Sequence, residues 1–135
     1  MSGTITLRAT LPPITSNLTI TRPITIDGNN NFQIMQVNSG ANVTLQNLSL
    51  RNGSVVGNTA GCTGQGGAIL NSGTLSIDKC TLSSNKATGG VGPGGMINVG
   101  GLGFGGAISN QGALTITNST FESNHSHGRE CCRGR

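Results

Sequence analysis

The chain has 135 residues, enough for one domain and no more. Charged residues make up 9% of it, against about a quarter in ordinary globular proteins, aromatics 2%, and glycines number 23. No run of about 18 apolar residues exists to span a bilayer, and regular Val/Ile/Leu alternation argues against disorder. What remains is an all-β array with small aliphatics inside and hydroxyls and amides outside.

The formal charge of +4 does not point to nucleic acid. Arg129, Arg133 and Arg135 fall in the last seven residues, and the remaining cations are scattered, without aromatics between them to stack bases. No nucleic-acid partner is expected. The start, Met1-Ser2-Gly3-Thr4, runs straight into alternation and lacks the basic and apolar regions of a secretory signal.

Thr4-Ile5-Thr6-Leu7 alternates with period 2, as a half-buried strand does. Leu11-Pro12-Pro13-Ile14 reads as a bend, because proline cannot donate to a ladder. Leu18-Thr19-Ile20 and Ile24-Thr25-Ile26 follow as strands hinged at Arg22-Pro23, and Asp27-Gly28-Asn29-Asn30-Asn31 as a sharp turn. The next unit reads Ile34 to Val37, a turn at Asn38-Ser39-Gly40, then Val43-Thr44-Leu45 and Leu48-Ser49-Leu50.

The stretch from Gly66 to Ala87 then recurs thirty-nine positions later, from Gly105 to Ser126, with Gly, Gly, Ala, Ile, Asn, Gly, Leu, Ile, Thr, Ser and Asn at matching places. A fixed period of this length marks a repeat architecture. The preceding unit is a degenerate copy, with one residue inserted before Val43 and one removed near Asn52. Two longer connections, from Ser54 to Gln65 and from Thr88 to Phe104, separate the copies; Met96-Ile97-Asn98-Val99 in the second reads as an extra short strand or part of a Gly-rich excursion.

These features predict a right-handed single-stranded parallel β-helix of about five rungs, each with three short strands, over residues 1–128, and an unstructured tail over 129–135. Three inward columns are expected. One holds Leu18, Val43, Leu75 and Leu114 beside Ile20, Leu45, Ile77 and Ile116. The next holds Ile24, Leu48, Cys80 and Ser119 beside Ile26, Leu50, Leu82 and Phe121. The third runs through Ile34 or Val37, Ala68 or Ile69, and Ala107 or Ile108. Outward stand Thr19, Thr44, Ser76 and Thr115 on one face and Thr25, Ser49, Thr81 and Thr120 on the next. Asn52, Asn85 and Asn124 read as a stacked turn position after the last strand.

The motif G-G-A-I-x-N-x-G-x-L-x-I with Phe121-Glu122-Ser123-Asn124 resembles bacterial right-handed parallel β-helix repeat proteins over about residues 3–126. Gly105–Ile108 and Phe121–Asn124 resemble the repeats of chlamydial polymorphic outer-membrane proteins, although the earlier copy has Leu82 in place of Phe. The N-terminal half, from Thr4 through Phe32, is similar to secreted proteins whose β-helix follows a CSLREA segment. The resemblance implies a surface-exposed, structural or adhesive segment of a secreted or outer-membrane protein, with a glycan or a host-surface molecule as ligand. It also implies more coils than are present here, so a fragment is expected. An uncapped last rung would invite end-to-end association.

The alternatives are a carbohydrate-active, pectate-lyase-like enzyme and an ice-binding solenoid. The first needs clustered carboxylates, and the sequence offers only Asp27, Asp78, Glu122 and Glu130. Asp27 and Asp78 read as turn residues, Asp78 beside Lys79. His125, His127, Cys131 and Cys132 lie close in sequence but without the spaced pairs of a zinc site. Cys62 sits in a Gly-rich loop, where pairing with a tail cysteine would need an oxidising compartment, and Cys80 reads as core. No catalytic, cofactor or metal residue is assigned.

Overall fold

The computed structural model describes residues 3–57, 64–89 and 103–127. Cys62, Met96–Val99 and the tail with Glu130, Cys131 and Cys132 lie outside them. The described residues form seventeen strands, β1–β17 in chain order, and no helix. The protein is all-β, and every strand pairing is parallel.

Five sheets share these strands. The largest runs in the order β1 (Gly3–Thr6), β3 (Ile24–Asp27), β6 (Ser49–Arg51), β11 (Thr81–Ser83) and β16 (Thr120–Glu122). The four-stranded sheet contains β2 (Leu18–Ile20), β5 (Asn42–Gln46), β10 (Thr74–Asp78) and β15 (Ala113–Thr117). Two three-stranded sheets follow: β4 (Met35–Val37), β9 (Ile69–Asn71) and β14 (Ile108–Asn110), and β7 (Ser54–Val56), β12 (Lys86–Thr88) and β17 (His125–His127). The last pairs β8 (Gly64–Gln65) with β13 (Gly103–Phe104).

The expected columns are single files of register partners. Leu18, Val43, Leu75 and Leu114 align, as do Ile20, Leu45, Ile77 and Ile116. Ile26, Leu50, Leu82 and Phe121 align too, and Ile5 extends that file by one strand. In the third column Met35, rather than Ile34 or Val37, stands opposite Ile69. Met35, Ile69 and Ile108 are partners, and so are Val37, Asn71 and Asn110. The middle members of these files are sealed from solvent: Leu45, Leu50, Ile69, Leu75 and Leu82 are fully buried. Burying one such side chain contributes about 1.5–3 kcal/mol, so stacking repeats creates the core that one repeat lacks.

Four expectations change. The repeat uses four sheets of three or more strands and a two-stranded fifth, not three strand positions. The early unit differs by two residues, since Asn38–Ala41 separate β4 from β5 where Ser72 and Gly73 separate β9 from β10. Nothing is removed near Asn52, because Ser49↔Thr81 and Ser54↔Lys86 keep one offset across it. Asn52 therefore aligns with Ser84 and Ser123, not with Asn85 and Asn124, whose place Gly53 takes.

Backbone conformation explains that alignment. Asn52, Ser84 and Ser123 have φ of 54°, 54° and 56°, and at the preceding corner Asn47, Lys79 and Asn118 have 65°, 55° and 50°. Each corner folds through one left-handed residue, a conformation that asparagine tolerates and that costs other L-residues roughly 1–2 kcal/mol. In the Gly-Gly-Ala-Ile motif, Gly66 and Gly105 supply the same hand with φ of 72° and 63°. Gly67 and Gly106 have no room for a Cβ against the backbone of Lys86 and His125, so the second glycine of the motif is a packing residue.

Candidate functional site

Among the described residues, the carboxylates named from the sequence are dispersed. Asp27 shares an outward file with Thr6, Arg51, Ser83 and Glu122. Three inter-strand steps separate it from Glu122, roughly 14 Å at the usual strand spacing, beyond the ~5–9.5 Å at which two carboxyls share glycosidic chemistry. Asp78 stands on the four-stranded sheet, at its corner.

Both aspartates act as hydrogen-bond acceptors. Burial pushes the Asp27 carboxyl up, but the Asn29 N–H at 2.8 Å, the Asn52 amide at 3.2 Å and the Arg51 Nε at 3.0 Å together hold it below the ordinary value. Asp78 is held down chiefly by the Asn118 amide at 3.0 Å and the Thr117 hydroxyl at 2.9 Å. A general acid at neutral pH needs the opposite displacement. Cys80 is buried in the core, and burial pushes its thiol pKa up, which disfavours the nucleophilic thiolate. Among the described residues no three His, Cys, Asp or Glu side chains come together as a metal site; His125 and His127 are exposed on β17.

The hydroxyl files stand in register. Thr4, Thr25, Ser49, Thr81 and Thr120 align along the five-stranded sheet, and Thr19, Thr44, Ser76 and Thr115 along its neighbour. Two asparagine ladders run beside the core. Asn85 is buried, donates its Nδ2 to the Leu50 carbonyl at 3.2 Å, and accepts the Gly53 N–H at 2.8 Å. Asn71, also buried, donates to the Ala113 carbonyl at 2.9 Å and accepts the Gly73 N–H at 3.1 Å. The second ladder was not singled out as such from the sequence, although its Asn is part of the repeated motif.

Among the described residues, a concave feature borders the last strands, β14, β15 and β16. A recess of about 430 Å³ is lined by Ile108, Leu114, Ile116 and Phe121, with Glu122 and Asn124 also bordering it. Ile116 is 43% and Phe121 39% exposed, whereas their register partners one repeat earlier, Ile77 and Leu82, are 1% and 0% exposed. The recess is thus bordered by the last described members of the core files. No family model, curated protein or solved structure matches the chain.

Proposed function

We propose that this chain is a segment of a right-handed parallel β-helix, with about five rungs, and that it serves a non-catalytic structural or adhesive role in a secreted or cell-surface protein. The observation that carries this reading is the return of the chain, repeat after repeat, to the same sheets in the same order, with partners in single file. A right-handed path follows from the rule that parallel crossovers within one sheet take that hand in about 98% of cases. Repeat proteins bind through extended surfaces, and here the regular outward faces carry hydroxyls and amides suited to a glycan or another polar surface. The engaged, separated aspartates weigh against a polysaccharide-cleaving enzyme.

The test is a glycan and host-surface binding array on the longer protein that contains this segment. Specific retention supports adhesion, whereas turnover of polyuronate substrates overturns it. The aligned hydroxyl files favour one second reading, binding to ice. Thermal hysteresis and recrystallisation assays decide it, and no effect at high protein concentration removes it.

A further inference from the structure

Asn52-Gly53 is the single Asn-Gly step in the chain. With no side chain on the following residue, the peptide nitrogen is unhindered, and an unrestrained step of this kind closes readily to a succinimide. The fold holds the reacting groups away from that path. The Gly53 N–H is buried and donates to the Asn85 Oδ1 at 2.8 Å, so its nitrogen is not free to give up the proton. The Asn52 side-chain amide is turned to Asp27, with Nδ2 3.2 and 3.3 Å from the two carboxylate oxygens.

The main chain is pinned on both sides of the step. The Asn52 N–H donates to the Ser83 carbonyl at 3.2 Å, and the Asn52 carbonyl accepts the Asn30 N–H at 2.8 Å. The Gly53 carbonyl accepts the Lys86 N–H at 2.8 Å. The products of ring closure do not fit this frame. Aspartate at position 52 sets a second carboxylate where an amide now donates to Asp27. Isoaspartate adds one methylene to the main chain, and Ser49↔Thr81 and Ser54↔Lys86 keep a single offset across the corner, which an extra backbone atom breaks.

We propose that Asn52 is a modification site that the fold keeps closed and that opening of this corner exposes. On opening, the Gly53 nitrogen attacks Cγ of the Asn52 side chain. The bond from Cγ to Nδ2 breaks, and ammonia leaves with the proton from Gly53. Water then adds to one of the two ring carbonyls, and the ring opens to aspartate or isoaspartate. A reversible opening thereby becomes a permanent one. Asn85 takes no part in the reaction; it acts by occupying the Gly53 N–H.

The experiment follows position 52 in the 135-residue chain, folded and in urea, by peptide mass spectrometry that separates asparagine, aspartate and isoaspartate. The folded wild type is expected to react at least about a hundredfold more slowly than the unfolded chain. Asn85→Ala, where circular dichroism shows it folded, is expected to react at least about tenfold faster than the folded wild type. Asn124→Ala leaves the Gly53 N–H bonded and is expected to accelerate the reaction less. Asn52→Asp makes one product directly and is read whether or not Asn85→Ala folds. It is expected to lower the folded-to-unfolded ratio at least about tenfold, and by less when combined with Asp27→Asn. A folded wild type that reacts as fast as the unfolded chain overturns the closure. Equal acceleration by Asn124→Ala and Asn85→Ala overturns the part given to Asn85, and an Asn52→Asp chain as stable as the wild type overturns the permanence.

Discussion

The Oδ1 of Asn124 accepts both the backbone N–H of Asn85, at 3.1 Å, and its side-chain amide, at 3.0 Å. Asn124 in turn donates to the Leu82 carbonyl at 2.8 Å, as Asn85 does to that of Leu50. One side chain thus ties two successive repeats together where the chain leaves the five-stranded sheet. Its polar atoms are all occupied, which is the condition for burying an amide at all.

Asn85→Ala is therefore expected to destabilise the protein by about 2–3 kcal/mol, because the Gly53 N–H and the Leu50 carbonyl lose a partner in the interior. Asn124→Ala, nearer solvent, is expected to cost about 1 kcal/mol. Denaturant unfolding of both variants checks the order. Equal effects would mean that the ladder is not set by burial.

A second contrast lies between glycines. Gly67→Ala pushes a methyl group into the backbone of Lys86 and Gly106, with no flexible side chain to yield. A loss of about 3 kcal/mol or more is expected, at the upper end of overpacking costs. Gly40, with φ of 90° and nothing near its missing Cβ, bears only backbone strain, so Gly40→Ala is expected to cost about 1–2 kcal/mol. Thermal unfolding of the pair separates packing from conformation.

Much of the core was legible because period-2 alternation names inward residues without reference to loops. Val43, Leu45, Leu75, Ile77, Leu50 and Leu82 are all in the expected files. The β7–β12–β17 sheet was not legible, since Lys-Ala-Thr and His-Ser-His carry no apolar alternation and are held by their neighbours' backbone. The corners misled for a different reason. Matching letters put Asn52 with Asn85, but the left-handed backbone of Asn52 is shared with Ser84, whose composition gives no turn signal. The recess is not legible in the sequence, because Ile116 and Phe121 follow the same pattern as buried residues and differ only in pairing with one described strand instead of two.

Asp27 predicts a pH dependence. Its folded pKa lies below the unfolded one, so the folded state favours the carboxylate. The stabilisation is present above the unfolded value of about 4 and disappears as pH falls through the folded value. Asp27→Asn is expected to flatten the acid limb of stability against pH. With Arg51 half-exposed, the ion pair itself contributes at most about 1 kcal/mol; the hydrogen bonds of Asn29 and Asn52 each outrank those of Arg51 in lowering the pKa. Arg51→Gln should then leave most of the acid limb in place, and a limb lost with Arg51→Gln would reverse that assignment.

Cys80 offers a probe of opening at a single core position. Its thiol lies in the inward file between Leu48 and Ser119, has the Leu45 and Asp78 carbonyls at 3.4 Å as alternative acceptors for its one S–H, and is pushed up in pKa by burial. Both access and thiolate fraction are low, so alkylation depends on exposure of the core. Peptide-level mass spectrometry after iodoacetamide treatment is expected to find Cys80 unmodified under native conditions and modified in parallel with global unfolding in urea. Asn85→Ala should advance that modification to lower urea, because the asparagine ladder and Cys80 belong to the same repeat. Rapid native labelling of Cys80 would mean that the repeat opens locally, and that the ladder does not couple it to its neighbours.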